Sequence, residues 1–409
     1  MIRIERSSKE SSSAPSARPF DRSDILLPSE IHQLIEREII GQDDAKRALS
    51  VALYNHIKRL HYTGPVQIEK SNILLIGPSG CGKTLLARTL ARILGVPCVA
   101  GSATSLTEAG YVGDDVESLL VRLLQKADDD VELAQRGVLF IDEIDKLIGR
   151  NPMEGVSTTG VQADLLKLLE GVEVELVSGR GAKSDRGETV TMDTSQILFI
   201  CAGAFTGLSD IVQRRRQSAL PVGHSVPRSG SRLKRTPSGR ARRGDDRGRY
   251  GSGDDLRMTA PSDLIEFGLL SELVGRLPVI VPLAALSRIE LKRVLVEPAS
   301  GLVRQYQELM RMDGIDLIFE ESALDGIAHA AFKEGGGARS LRRVMEEVML
   351  DLMFDLPSCP PSEPFQVTAS RVEETLDGKV AVRARKRGRR MGMSVLGGGE
   401  PPPESEEAH

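Results

Sequence analysis

No cysteine in this chain has a close neighbour of its own kind. Cys81, Cys98, Cys201 and Cys359 are scattered without a C-x-x-C pair, which argues against a zinc module and against a disulfide framework. No stretch approaches the apolar length needed to span a bilayer. The segment Met1 to Phe20 is rich in Ser and charge and lacks the apolar core of a signal peptide. These absences predict a reducing, cytoplasmic address and no membrane partner. Nor is there a polycationic excess: net charge is −4, so the protein as a whole is not a polycation built for nucleic acid. What is present is bulk. A chain of 409 residues with 40% hydrophobic content can bury a sizeable core and divides into two or more domains.

One octapeptide dominates the chemistry. Gly77, Pro78, Ser79, Gly80, Cys81, Gly82, Lys83 and Thr84 fit G-x-x-x-x-G-K-[ST], the phosphate-binding P-loop or Walker A pattern. The apolar run Ile73–Ile76 leads in, and an apolar helical pattern from Leu85 to Ala91 follows. A strand, a glycine-rich turn and a helix start aim several backbone N–H groups at one anion. Lys83 would place a point charge on the β/γ-phosphates and Thr84 a hydroxyl on Mg²⁺. The expected ligand is ATP with Mg²⁺.

Around that loop the chain alternates. Strands are expected at 72–76, 96–100, 138–141 and 197–201, and helices at 83–94, 114–126 and 160–170. Alternation of this kind predicts an α/β fold, a mostly parallel sheet between helices. A short helix with Ser29 as N-cap and an amphipathic helix through Ala45, Leu49, Leu53 and Leu60 precede the first strand. Four domain segments are expected: an N-terminal arm at 1–24, a large α/β ATPase domain at 25–286, a smaller, mainly helical domain at 287–372, and a tail at 373–409. The small domain carries helices at 287–310, 320–332 and 337–354, with short strands near Ile315–Phe319 and Phe365–Val367. The arm is polar and Ser-rich; the tail is basic and then rich in Gly, Pro and Glu. Both have the composition of disordered chain. So does an Arg-rich insertion at about 213–255, which begins with Arg214, Arg215 and Arg216.

A P-loop needs a second element for metal and water. Val138–Ile141 ends in Asp142 and Glu143, two acids at the end of a buried strand, where ligands sit in open α/β sheets. Asp142 would hold Mg²⁺, and Glu143 would orient and polarise the attacking water.

Further stretches bring a resemblance. They include Ile39–Lys46 with Tyr54-Asn55-His56, then Gly110-Tyr111-Val112-Gly113, Ile141–Lys146, Gly160-Val161-Gln162 and Gly203-Ala204-Phe205. Val274-Gly275-Arg276-Leu277-Pro278 and Gly337-Ala338-Arg339 complete the set. In this order they resemble the AAA+ ATPases of the Clp/Hsp100 class, and among them the ClpX unfoldases, from about residue 25 to Pro357. The resemblance implies roles. Arg276 matches the arginine finger that reaches a neighbouring subunit's γ-phosphate, and Arg339 the sensor-2 arginine; both join Glu143 and Lys83 as catalytic residues. Ile39 and Ile40 would help form the adenine pocket, or serve simply as core. No sensor-1 residue is assigned at Cys201-Ala202-Gly203. Gly110, Tyr111, Val112 and Gly113 match the pore loop that grips polypeptide in a homo-hexameric ring.

Three departures from the family pattern stand out. The zinc-binding N-terminal domain has no counterpart in residues 1–24, and no Ile-Gly-Phe tripeptide for docking a Clp-type peptidase occurs within 213–262. The pore-entrance Arg-Lys-His triplet is matched only loosely by Arg180 and Lys183. The expected function is ATP-driven unfolding of polypeptide substrates, either alone or for delivery to a Clp-type peptidase, a partnership that the missing tripeptide puts in question. The alternative is a stand-alone remodelling ATPase, working on protein or nucleic-acid complexes through 213–255. That insertion reads either as a docking arm for an acidic partner or nucleic acid, or as a solvated loop.

Overall fold

A computed structural model describes residues 25–107, 114–148, 158–177, 189–218, 256–358, 361 and 363–376. The expected arm, the 110–113 loop, Arg180, Lys183, most of the insertion and the tail beyond residue 376 lie outside the described residues; residues 373–376, expected in the tail, are helical, and Leu376 packs on the small-domain core.

The fold is α/β. Its central sheet has five strands in the order Cys98–Ser102, Val138–Asp142, Leu198–Gly203, Ile73–Ile76, Val279–Pro282, each parallel to its neighbours. Parallel strands need crossovers, and the crossover helices cover both faces. The strand sequences show the consequence. Leu74 and Ile76 enter the core on one face while Ile73 and Leu75 enter the core on the other, all four fully buried. Leu139 and Ile141 part in the same way from Val138 and Phe140. Residues buried on both faces must be apolar throughout, which is why these runs do not alternate with polar residues. Burying each such side chain contributes about 1.5–3 kcal/mol.

A separate core gathers Leu291, Leu295, Met310, Ile327, Leu341 and Val348 from the helices Arg288–Val296, Leu302–Met312, Glu321–Glu334 and Ala338–Asp355. A parallel pairing of Leu317–Phe319 with Phe365–Val367 closes it. Ser287 starts the first of these helices in a capping box. Its hydroxyl accepts from Glu290 N at 3.3 Å, while the Glu290 carboxylate accepts from Ser287 N at 2.7 Å.

Local chemistry departs from expectation in four places. The helix expected at 287–310 breaks between Val296 and Leu302: Glu297 still holds helical dihedrals, but Pro298 has no N–H to donate back into the helix. The first helix is Pro28–Glu36 with Leu27, not Ser29, at the N-cap; Pro28 fits its first position because that N–H needs no partner. An antiparallel hairpin of Glu173–Val177 with Thr189–Asp193 was not expected. Finally, residues 213–218 are the last turns of the helix Leu208–Ser218, not the start of the insertion. Arg215 grips the buried carboxylate of Asp263 through its Nε/Nη2 edge, one bond to each oxygen at 2.7 and 3.0 Å, and so helps fasten Pro261–Phe267 to that helix.

Candidate active site

The P-loop leaves the strand Ile73–Ile76 at its C-terminal end. Gly77 N donates to Gly203 O at 3.1 Å, setting the loop beside the neighbouring strand's end. Gly80 has φ +77°, and a Cβ there would lie 2.1 Å from Gly336 O, so only glycine fits. Gly82, at φ +104°, caps the helix Lys83–Leu94 without any side-chain hydrogen bond. The helix start thus carries no side-chain cap, and the helix dipole there favours a negatively charged partner. Lys83 is 8% exposed, and its Nζ donates to the carbonyls of Gly77 at 2.6 Å and Pro78 at 3.0 Å. A buried ammonium held on neutral carbonyls, facing an uncapped helix start, fits a phosphate group. Thr84 is half-buried and Leu85 is 45% exposed on the first turn, whereas Ile39 and Ile40 are buried, Ile39 within the core. Cys81 is buried too, and burial pushes its thiol pKa up, away from the reactive thiolate.

Asp142 ends its strand half-buried, and its Oδ1 accepts from Glu143 N at 2.9 Å. That bond accompanies a left-handed backbone at Glu143, φ +61°, which turns its side chain out beyond the sheet. Its carboxylate accepts from Ser102 Oγ at 2.9 Å and Thr104 Oγ1 at 3.1 Å. Sequence reasoning missed both hydroxyls. The signal lies in register: Ser102 pairs directly with Asp142 across the parallel ladder. Asp145 is buried and accepts from Ala204 N and Phe205 N, each at 3.2 Å, fixing the turn after Leu198–Gly203. Cys201 on that strand is fully buried, its thiol pushed up to about 12 by burial.

The two arginines lie at opposite ends of the same strand. Arg339 Nη1 donates to Ser79 Oγ at 2.9 Å, and beside it Ala338 N donates to Gly80 O at 3.0 Å. The start of the small-domain helix thus rests on the P-loop. Arg276 follows the short helix Ser271–Gly275 and precedes Val279, which pairs with Ile73. Its carbonyl accepts from Asn72 Nδ2 at 2.9 Å. From Asn72 to Gly77 an extended strand rises roughly 17 Å, farther than an arginine side chain reaches. Arg276 and its own P-loop are not brought together.

Residues 68–280 match the family model described as AAA domain (Cdc48 subfamily), and residues 286–361 match that of the C-terminal D2-small domain of ClpB protein. Two relatives carry the description "ATP-dependent Clp protease ATP-binding subunit ClpX". The protein of Borrelia duttonii is 42% identical over 378 residues, 90% of this chain and 83% of its own length. That of Porphyromonas gingivalis is 44% identical over 344 residues, 82% of this chain and 79% of its own. Among the described residues no helix is long and apolar enough to cross a membrane. Identity of this extent, over most of each chain, places the protein in the ClpX family of AAA+ ATPases.

Proposed function

We propose that this ATPase works as a ring that unfolds polypeptides, each ATP being held by one protomer and completed by the next. The large domain at 25–286 binds the nucleotide, and the small domain at 287–372 reports on it through Arg339. The observation that carries the reading is the separation of Arg276 from its own P-loop. A guanidinium with fixed donors is suited to a phosphoryl transition state, and its own P-loop lies beyond its reach, which supports action on another copy's nucleotide.

Within one site, Lys83 and the first-turn N–H groups bind the β/γ-phosphates. Thr84 and Asp142 are the residues that would hold Mg²⁺, which supplies charge neutralisation at the phosphate oxygens. Thr84 and Asp142 offer two oxygens, a donor set that suits Mg²⁺, which takes one or two protein oxygens and draws others from phosphate and water. Glu143, held by Ser102 and Thr104, orients the attacking water and takes its proton. Tyr111, between Gly110 and Val112-Gly113, grips the substrate in the pore. The relatives' printed description supports delivery to a Clp-type peptidase over stand-alone remodelling through 213–255.

Affinity capture on a Glu143→Gln variant tests this. It should bind ATP without turnover and retain ATP-dependently both unfolded polypeptide and a Clp-type peptidase. Retention of nucleic acid alone would overturn the reading.

A further inference from the structure

Glu170 is the last residue of the helix Thr158–Glu170, and its Oε1 accepts from both Nε and Nη2 of Arg276, at 3.2 and 3.0 Å. As a stabilising device this pair is poor. Both side chains are exposed, 43% and 46%, and an ion pair in that setting is worth little. The position is also unfavourable for a carboxylate, because a helix C-terminus already carries negative partial charge. That end is met instead by Lys70, whose Nζ donates to Leu168 O at 3.2 Å and Thr194 O at 2.8 Å and sits 4.7 Å from the centre of the Phe199 ring.

Behind the pair lies Asn72, 1% exposed. Its Nδ2 donates to Arg276 O at 2.9 Å and lies 3.4 Å from Leu169 O, so one buried amide touches the segments carrying both partners. The two acceptors are carbonyls, which fixes which way the amide faces. The backbone of Arg276 and the helix end that carries Glu170 are therefore tied to the strand that leads into the P-loop.

We propose that Glu170 and Asn72 are positioning residues for Arg276, Glu170 holding the guanidinium extended towards the neighbouring copy and Asn72 fixing its backbone. The inference rests on reading Arg276 as a finger acting in trans. An arginine side chain free in solvent has about 2 kcal/mol of rotamer entropy to lose when it docks. Glu170 removes part of that freedom in advance. It engages two of the guanidinium's five N–H donors along the Nε/Nη2 edge and leaves Nη1 for a phosphate oxygen. Preorganisation of this kind raises turnover without changing how tightly the neighbour binds ATP.

Mixed rings test it, using the full chain. Glu170→Ala should lower ATPase kcat by roughly twofold to fivefold, the most that an exposed pair worth up to about 1 kcal/mol can contribute, with KM for ATP unchanged. Glu170→Gln, which keeps an oxygen acceptor, should recover part of the loss. Exchange with Glu143→Gln subunits, dead at their own sites but with an intact Arg276, should raise the activity of Glu170→Ala rings above the sum of the separate rings. Arg276→Ala serves as the control and should be rescued in the same way. If Arg276→Ala is rescued and Glu170→Ala is not, or if Glu170→Ala is as active as the parent or more so, the positioning role is overturned while the finger stands. If Arg276→Ala itself is not rescued, the finger reading falls and the inference falls with it. Asn72→Asp, nearly isosteric, sets a carboxylate against two carbonyls and should show the same rescue; a loss confined to its own site overturns its part.

Discussion

The strand Ile73–Ile76 meets a different arginine at each end. At the C-terminal end, Arg339 arrives from the small domain and hydrogen-bonds Ser79 of the P-loop in the same chain. At the N-terminal end, Arg276 is anchored through Asn72 and turned to solvent, paired with Glu170. On the reading proposed above, the first arginine senses the nucleotide of its own protomer and the second serves another's, so that one short strand would join a site that receives ATP to a group offered elsewhere.

The largest expected effect breaks that contrast at the exported end. Arg276→Ala should cost roughly a thousandfold or more in kcat, the scale of an arginine finger, while nucleotide affinity measured by fluorescent titration stays near that of the parent. Arg339→Ala should instead weaken nucleotide binding as well as turnover, since its partner is the P-loop itself. Equal losses of affinity in both variants would erase the distinction. A smaller effect is expected one shell out. Ser102→Ala combined with Thr104→Ala frees the Glu143 carboxylate and should lower kcat about tenfold, leaving ATP binding intact, as single-turnover and binding assays would report.

Stability should also answer to acid. Burial, reinforced by the charges of Arg59 and Lys70, pushes His56 down to about 3 from an ordinary 6.5. Between those values only the unfolded chain binds the proton, so stability falls as pH falls. Urea midpoints should therefore decline from pH 6.5 towards 4. His56→Gln should flatten that decline, by up to about 1.4 kcal/mol per pH unit. A decline of the same slope in the variant would assign the acid sensitivity elsewhere.

The P-loop, the Asp142-Glu143 pair and the parallel sheet were legible because each is written in consecutive residues. Buried strands must be apolar runs, and a phosphate cradle must be glycine-rich. What escaped depends on meetings across the chain. Glu170, Asn72 and Arg276 come from three separate segments, and Ser102 reaches Glu143 only through the register of two strands. Arg215 looked like part of an unanchored basic run because its partner, Asp263, lies 48 residues away. The hairpin strand Glu173–Val177 could have been read from its alternating Glu and apolar residues, a period-two signal among helical neighbours. The break at Pro298 was likewise written in the sequence, and the helical periodicity on either side masked it.

The central claim, that this protein keeps one arginine for itself and lends the other, is tested most directly by ATPase assays on rings of mixed subunits. Arg276→Ala and Glu143→Gln subunits, each nearly inactive alone, should regain ATPase activity when exchanged together, because the intact P-loop of one meets the intact finger of the other. Arg339→Ala exchanged with Glu143→Gln should regain none. Recovery in the second mixture, or its absence in the first, would contradict the account.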